Sequence, residues 1–310
     1  MRIYHSPTEF KKLENATVTI GSYDGVHLAH QKILSRVHEL SFKSKSESVV
    51  ITFWPHPRIV LDRPPESIML LTSLEEKIEL ISRLEIDHLL IIPFTRDFSE
   101  MSSDDFIKHI LVDTIGTKKL VIGYDHRFGK DRKGSFDDLK KYSLMYDFEI
   151  EEIQKQMLDD VAISSTQIRQ ALLKGDVRKA TEFLGRHYNL SGIVVKGLQK
   201  GRTIGFPTAN IEVYSKEKLI PSDGVYAVKV RYQNSSLNGM MNIGYRPTLD
   251  GKAHTIEVHI FDFHKDIYGE KLEVLLVDFL RNEKKFNSVD ELKNQLERDK
   301  ACAHSILSQL

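Results

Sequence analysis

Three glycines at even spacing, Gly197, Gly201 and Gly205, surround Lys200 and Arg202 and run directly into Phe206-Pro207-Thr208-Ala209-Asn210. Glycine lets backbone N–H groups turn toward a ligand with no Cβ in the way, and the two cations complement phosphate charge. Pro207 fixes its own φ and biases Phe206 toward extended geometry, so Thr208 and Asn210 leave the turn in a defined direction. A hydroxyl and an amide oxygen beside a phosphate turn suit a hard cation such as Mg²⁺. A glycine-rich hairpin with a basic tip accounts for the glycines alone. It gives no reason for Thr and Asn just past the proline.

Two further groups could do chemistry. In Gly21-Ser22-Tyr23-Asp24-Gly25-Val26-His27-Leu28-Ala29-His30, the two histidines lie three apart and face the same way near a helix start. A triphosphate arriving there meets free N–H groups and the positive end of the helix dipole. Two imidazoles could donate to phosphate oxygens as charge builds on a leaving pyrophosphate. A zinc pair and plain surface histidines are the competing readings; no Cys or carboxylate at ligand spacing supports zinc. In Ile256-Glu257-Val258-His259-Ile260-Phe261-Asp262-Phe263, alternation places Glu257, His259 and Phe261 on one face and turns Val258 and Ile260 to a core. Such a carboxylate could take the proton from a primary hydroxyl attacking the γ-phosphate of ATP. A solvated Glu on a strand is the alternative.

The elements that must position these groups change character along the chain. Strands are predicted at 17–20, 48–53, 88–93, 119–123 and 148–153. Helical spacing of Ile33, Leu34, Val37 and Leu40 falls between the first two strands, and further helices are predicted over 74–84 and 104–115, capped by Ser73 and Ser103. This alternation predicts a mostly parallel sheet with helices on both faces and ligands at the carboxyl ends of its strands. After Gly185-Arg186-His187-Tyr188 the period becomes two. Strands predicted at 191–196, 224–232, 240–243, 255–261 and 272–279 outline a small antiparallel β-barrel, closed by a helix around 288–307. Two domains are expected, 1–184 and 185–310.

The 310 residues are 41% hydrophobic and 28% charged, and Lys+Arg and Asp+Glu are both 44, so no global field points to nucleic acid or an anionic membrane. Cys302 is the single cysteine, which excludes an intrachain disulfide and a four-cysteine zinc site. MRIYHSPTEF lacks the apolar core of a signal peptide, and no apolar run reaches membrane-spanning length. A cytoplasmic protein is expected; nothing in the sequence indicates a protein partner.

Taken whole, Lys196–Ile211 resembles the signature of riboflavin kinases, as do the strings from Pro221, Asn242 and Ile256. The stretch from Gly21 resembles the GxFDGxHxGH signature of the nucleotidyltransferases that include bacterial FMN adenylyltransferases, with Tyr23 and Ala29 as departures. Phe53-Trp54-Pro55-His56-Pro57-Arg58 is similar to that family's FxPHP. Val121–Gly129 is similar to VGxDFRFG, with His126 in place of Phe, and Ile163–Arg169 matches ISSTxIR. Arg281–Phe286 resembles RxExKF, with Asn282 in place of Pro.

The chain therefore resembles bacterial bifunctional riboflavin kinases/FMN adenylyltransferases over nearly all its length. The resemblance implies an α/β nucleotidyltransferase (Rossmann-like) domain followed by a small antiparallel β-barrel domain with a C-terminal helix. The barrel would convert riboflavin and MgATP to FMN, and the first domain would transfer AMP from a second ATP to give FAD and pyrophosphate. Glu257, His27, His30 and Arg169 are implied as catalytic. Gly21, Asp24, Gly25, Asp125, Arg127, Ser164, Ser165, Thr166, Gly197, Gly201, Arg202 and Gly205 are implied in nucleotide and phosphate binding. Pro55, His56, Pro57, Arg58 and Arg281 are implied for flavin, and Thr208 and Asn210 for Mg²⁺. Two alternatives stand beside this: a first domain that is a regulatory binding module, or one that transfers a nucleotidyl group to another phosphorylated acceptor.

Overall fold

A computed structural model describes residues 1–61, 69–123, 136–153, 163–197, 199–248 and 251–309. The chain divides into two compact units, Met1–Ser165 and Thr166–Leu310.

The first unit is built on a six-stranded parallel sheet in the order β1-β4-β3-β2-β5-β6. Its strands are β1 (Arg2–Tyr4), β2 (Ala16–Ile20), β3 (Glu47–Trp54), β4 (His88–Pro93), β5 (Thr117–Gly123) and β6 (Glu149–Ile153). Each strand's side chains alternate between two apolar layers. Leu89 and Ile91 of β4 join Val50 and the buried face of helix α1 (Leu28–Ser44), namely Leu34, Val37 and Leu40. Leu90 and Ile92 join Val18, Val49 and Ile51 on the other side, under the π-helical segment Phe106–Ile115. A sheet covered on both faces needs such near-continuous apolar strands. Helices α2 (Pro57–Leu61), α3 (Leu74–Ser82) and α4 (Phe136–Tyr146) also belong to the unit, with shorter helical turns such as Arg96–Ser99.

Two sequence expectations need correction here. β1 was not foreseen; it pairs with β4 through Arg2–Tyr4. The segment expected to start at a Ser103 cap is instead capped by Ser102, whose hydroxyl accepts from Asp105 N at 3.0 Å, and it runs as a short α turn into the π-helical segment. Ser73 caps α3 as expected, with Glu76 reaching back to its N–H.

The second unit is a closed six-stranded barrel, β10-β11-β8-β7-β12-β9, with every neighbouring pair antiparallel. Its strands are β7 (Tyr188–Val195), β8 (Ala209–Val213), β9 (Gly224–Tyr232), β10 (Ser235–Thr248), β11 (Gly251–Ile260) and β12 (Lys271–Arg281). β8 is an addition to the expected strands, and β10 extends well beyond 240–243.

Helix α5 (Ser165–Leu173) carries the division between the units one residue into its length. Helix α6 (Val177–Leu184) turns buried Val177, Ala180 and Leu184 to β7 and β12, so the contact boundary falls ahead of the one expected at 184/185. After the short turn α7 (Lys200–Thr203), the last helix α8 (Val289–Leu307) follows its Ser288 cap. It packs Ala303 and Leu307 on Ala227, Met240, Phe261 and Val277.

Candidate active sites

In the first unit the chain leaves β2 for β3 on one side, and later returns to β5 on the other. The carboxyl ends of β2 and β5 therefore flank a topological switch point, where open α/β sheets bind ligands. The turn after β2 is wound tightly there. Tyr23 and Val26 have φ of 47° and 38°, and Gly25 has 85°. Tyr23 is buried, with its hydroxyl 2.9 Å from Thr19 Oγ1, and burial pushes the phenol's pKa up.

Asp24, only 2% exposed, turns its carboxylate into the protein and accepts from Leu71 N at 2.9 Å and Thr72 N at 3.2 Å. Gly25 N donates to Thr72 Oγ1 at 3.1 Å. The side chain of Asp24 thus ties the turn to Leu71–Thr72, while the Asp24 carbonyl accepts from Ser165 Oγ at 3.0 Å. That bond joins the first and last motifs of this unit across 141 positions of sequence.

His27 ends the turn as the N-cap of α1, its Nδ1 accepting from His30 N. The two imidazoles stack with centroids 3.6 Å apart. Burial, then the neighbouring His27 and Lys77, hold the pKa of His30 well below the usual 6.5, so its ring is neutral. One stacked histidine therefore stays uncharged while the pair fronts the α1 N-terminus. Among the described residues no group of three or more His, Cys, Asp or Glu could hold a metal ion.

Of the remaining residues, Gly21 N donates to Ile51 O at 3.1 Å, fixing the start of the turn. His56 is buried and caps α2, its Nδ1 accepting from Arg58 N at 3.2 Å, while Pro55 and Arg58 are exposed and Pro57 begins α2. Ser164 and Thr166 are exposed, and Arg169 is half-buried on α5. Asp125 and Arg127 lie outside the described residues. Lys77 was missed by sequence reasoning. It is buried beside this turn, with Nζ donating to Ser22 O at 2.8 Å. The available signal was its position four residues before buried Ile81 on α3.

In the barrel, the glycine turn is anchored by Phe206, which is buried in the α8 core and meets the His259 ring at 5.1 Å. Burial lowers the His259 pKa, leaving a neutral ring whose Nδ1–H donates to Pro207 O at 2.7 Å. His259 and Phe261 are therefore covered, so the face expected to lie outside the barrel core is buried here as well. Gly205 has φ of 87°, Gly201 O accepts from Phe206 N at 2.8 Å, and a Cβ on Gly197 would overlap the Asn210 amide.

Asn210 of β8 stands opposite Glu257 of β11, and Thr208 Oγ1 donates to Glu257 Oε2 at 3.1 Å. An open cleft of about 470 Å³, including its solvent-filled mouth, lies beside Thr208, lined by Ala209, Val258 and Ile260 rather than by Asn210 and Glu257. Arg202 and Thr208 line it on the glycine-turn side, and Phe263, Lys265, Asp266 and Tyr268 on the other. Phe263 ends the string that begins at Ile256, whereas Lys265, Asp266 and Tyr268 stand beyond it and carry no sequence signal of their own. Arg281 is engaged by the last helix: Nε and Nη2 donate to the buried Asp299 carboxylate at 3.0 and 2.7 Å.

Both units thus present glycine-containing turns beside polar groups, the first at a switch point of the sheet and the second on the barrel. Such turns and polar groups fit a two-part transferase. A FAD synthetase family model matches residues 9–167, and a riboflavin kinase model matches residues 184–307. A bifunctional riboflavin kinase/FMN adenylyltransferase of Listeria monocytogenes is 40% identical over 297 residues, 96% of this chain and 94% of that one. The Escherichia coli (strain K12) protein of the same description is 39% identical over 293 residues, 94% of this chain and 92% of that one. A crystal structure described as a macrolide-efflux protein from Streptococcus pneumoniae aligns with a TM-score of 0.88 and 32% identity, covering 98% of each chain. No helix among the described residues is long and apolar enough to cross a membrane. The chain belongs to the bifunctional riboflavin kinase/FMN adenylyltransferase family.

Proposed function

We propose that the family's two reactions divide between the two units, adenylylation of FMN to FAD in the first and phosphorylation of riboflavin to FMN in the second. The meeting of Glu257, Thr208 and Asn210 beside the glycine turn carries this reading. In the barrel, Glu257 takes the proton from the riboflavin primary hydroxyl as it attacks the γ-phosphate of ATP. Gly197, Gly201, Arg202 and Gly205 cradle the phosphates. The hydroxyl of Thr208 and the amide oxygen of Asn210 form an oxygen donor pair suited to Mg²⁺, which supplies charge neutralisation when bound with ATP. Arg281, held in place by Asp299, faces the flavin.

In the first unit, His27, His30 and the α1 N-terminus receive the triphosphate, with Gly21 and Gly25 allowing its close approach. Asp24 serves by anchoring the turn. Ser164, Ser165, Thr166 and Arg169 meet phosphate, as do Asp125 and Arg127. The Pro55–Arg58 corner receives the FMN phosphate. We place the boundary between the two catalytic domains at 184/185, the adenylyltransferase in 1–184 and the kinase in 185–310. We also place the enzyme in the cytoplasm, where ATP and riboflavin meet. The FAD synthetase match over residues 9–167 leaves neither a purely regulatory first domain nor a different acceptor with support.

The test is a double variant, His27→Ala with His30→Ala, given riboflavin, ATP and Mg²⁺. FMN should accumulate and FAD should vanish, and elemental analysis of the wild type should find no stoichiometric zinc. Unchanged FAD formation refutes the assignment of these histidines. One tightly held zinc that the double variant lacks replaces phosphate binding with metal binding.

A further inference from the structure

Lys77 has no part in the motifs that mark the first unit, yet it is among the most deeply buried large side chains of the protein, with 1% exposure. It lies on α3 after the Ser73 cap, and its ammonium crosses to the turn that follows β2. There it donates to Ser22 O at 2.8 Å, an oxygen that also accepts from Thr52 Oγ1 at 3.3 Å. Its Nζ also lies 5.5 Å from the centroid of the Trp54 ring, at the end of β3. One cation thus touches two loops, the one leading into His27 and the one leading into His56.

Burying an ammonium is costly unless its charge is used. The titratable groups that act on it are Asp24 on the turn and His30 on α1, and Glu76 precedes it on its own helix with its carboxylate turned back to Ser73 N. Burial pushes the Lys77 pKa down to about 8, and Asp24 opposes that shift. The Asp24 carboxylate is itself occupied with Leu71 and Thr72. With a triphosphate seated at the α1 N-terminus, the buried positive charge gains an anion to face.

We propose that Lys77 is a positioning residue for adenylyl transfer: its ammonium locks the turn carrying His27 and His30 to the end of β3, and its charge favours the triphosphate seated beside it. The proposal rests on the assignment of adenylyl transfer to this unit. Lys77 does not touch substrate in this arrangement. It acts through the Ser22 carbonyl and through its field, which is poorly screened in the interior.

The experiment uses the full-length enzyme and its Lys77→Met and Lys77→Arg variants, with FAD formation from supplied FMN followed from pH 6.5 to 9.5. In the wild type, kcat/KM for ATP should fall as pH rises through about 8, where Lys77 loses its proton. Lys77→Met should lower kcat for FAD formation by ~10²-fold, the usual cost of slight misplacement of reacting groups, and should lack the falling limb. Lys77→Arg keeps its charge over this range, so it should recover part of the rate, also without the limb. Riboflavin phosphorylation by the same preparations should be unchanged, and circular dichroism melts identify any variant that fails to fold.

A folded Lys77→Met enzyme with wild-type rate and limb overturns the proposal, as does a folded Lys77→Arg enzyme that keeps the limb near pH 8. A wild type that makes FMN but never FAD overturns the assignment of the unit itself, a result distinguishable from the other two.

Discussion

Replacing Glu257 by Gln tests the kinase chemistry with little disturbance of the barrel. The side chain sits on β11 opposite Asn242 of β10 and Asn210 of β8, so the backbone ladder on both sides is untouched. Glutamine keeps an oxygen for the Thr208 hydroxyl, which now donates to Glu257 Oε2 at 3.1 Å. What changes is a charge-assisted hydrogen bond becoming a neutral one, a difference of about 1 kcal/mol. The melting temperature should therefore move by only about 4 °C. The catalytic loss should be far larger, because an amide cannot accept the hydroxyl proton. A fall of ~10²–10⁴-fold in FMN formation is expected, equivalent to about 3–5 kcal/mol in the barrier. Single-turnover assays with riboflavin and MgATP, resolved by chromatography, would read it, with FAD formation from supplied FMN as the internal control. Near wild-type phosphorylation by a folded Glu257→Gln enzyme would refute the base assignment and leave Glu257 a structural residue that accepts from Thr208.

Asp24→Asn should destabilise the first unit by about 2–3 kcal/mol, because the buried backbone donors of Leu71 and Thr72 lose a charged acceptor; FAD formation should fall while riboflavin phosphorylation persists, and an unshifted melt speaks against the anchoring role. The depressed pKa of His30 makes the unfolded chain bind more protons than the folded one between that value and 6.5, so stability should rise with pH across the window and level off above it. Urea titrations should show a shallower rise for His30→Asn, and an identical slope would contradict a buried neutral ring. A fragment of residues 166–310 should fold and make FMN but never FAD. One starting at Gly185 loses the cover that Val177, Ala180 and Leu184 give to β7 and β12, and should melt lower; equal stability of the two would show that α6 contributes nothing to the barrel.

The order of elements was legible in the sequence because burial dictates residue type. A sheet sandwiched between two layers demands apolar runs such as Val49–Ile51 and Leu89–Ile92, and a barrel demands alternation such as Ile256, Val258, Ile260. The motifs could be placed at strand ends for the same reason, since glycine, proline and paired polar residues interrupt those runs. What carried no local signal was decided by pairing. Arg2–Tyr4 is too short and exposed to show a period, and becomes β1 only because β4 offers it a free edge. Ala209–Val213 reads as the tail of a loop until β7 and β11 bracket it as β8.

The sites divide along the same line. Sequence named His27, His30, Thr208, Asn210 and Glu257 by type and spacing, and the fold brought the first two into a stack, set Asn210 and Glu257 opposite each other on paired strands, and hydrogen-bonded Thr208 to Glu257 from just before β8. Only tertiary structure could assign the Asp24 carboxylate to the Leu71–Thr72 backbone, join Ser165 to the Asp24 carbonyl, or commit Arg281 to Asp299. These are contacts between residues far apart in the chain, whose local sequence carries no trace of the partner. Lys77 is the plainest case. In Glu-Glu-Lys-Ile a lysine reads as one more charge on a solvated helix, and what makes it a buried cation is the turn after β2 and the ring of Trp54 closing over it.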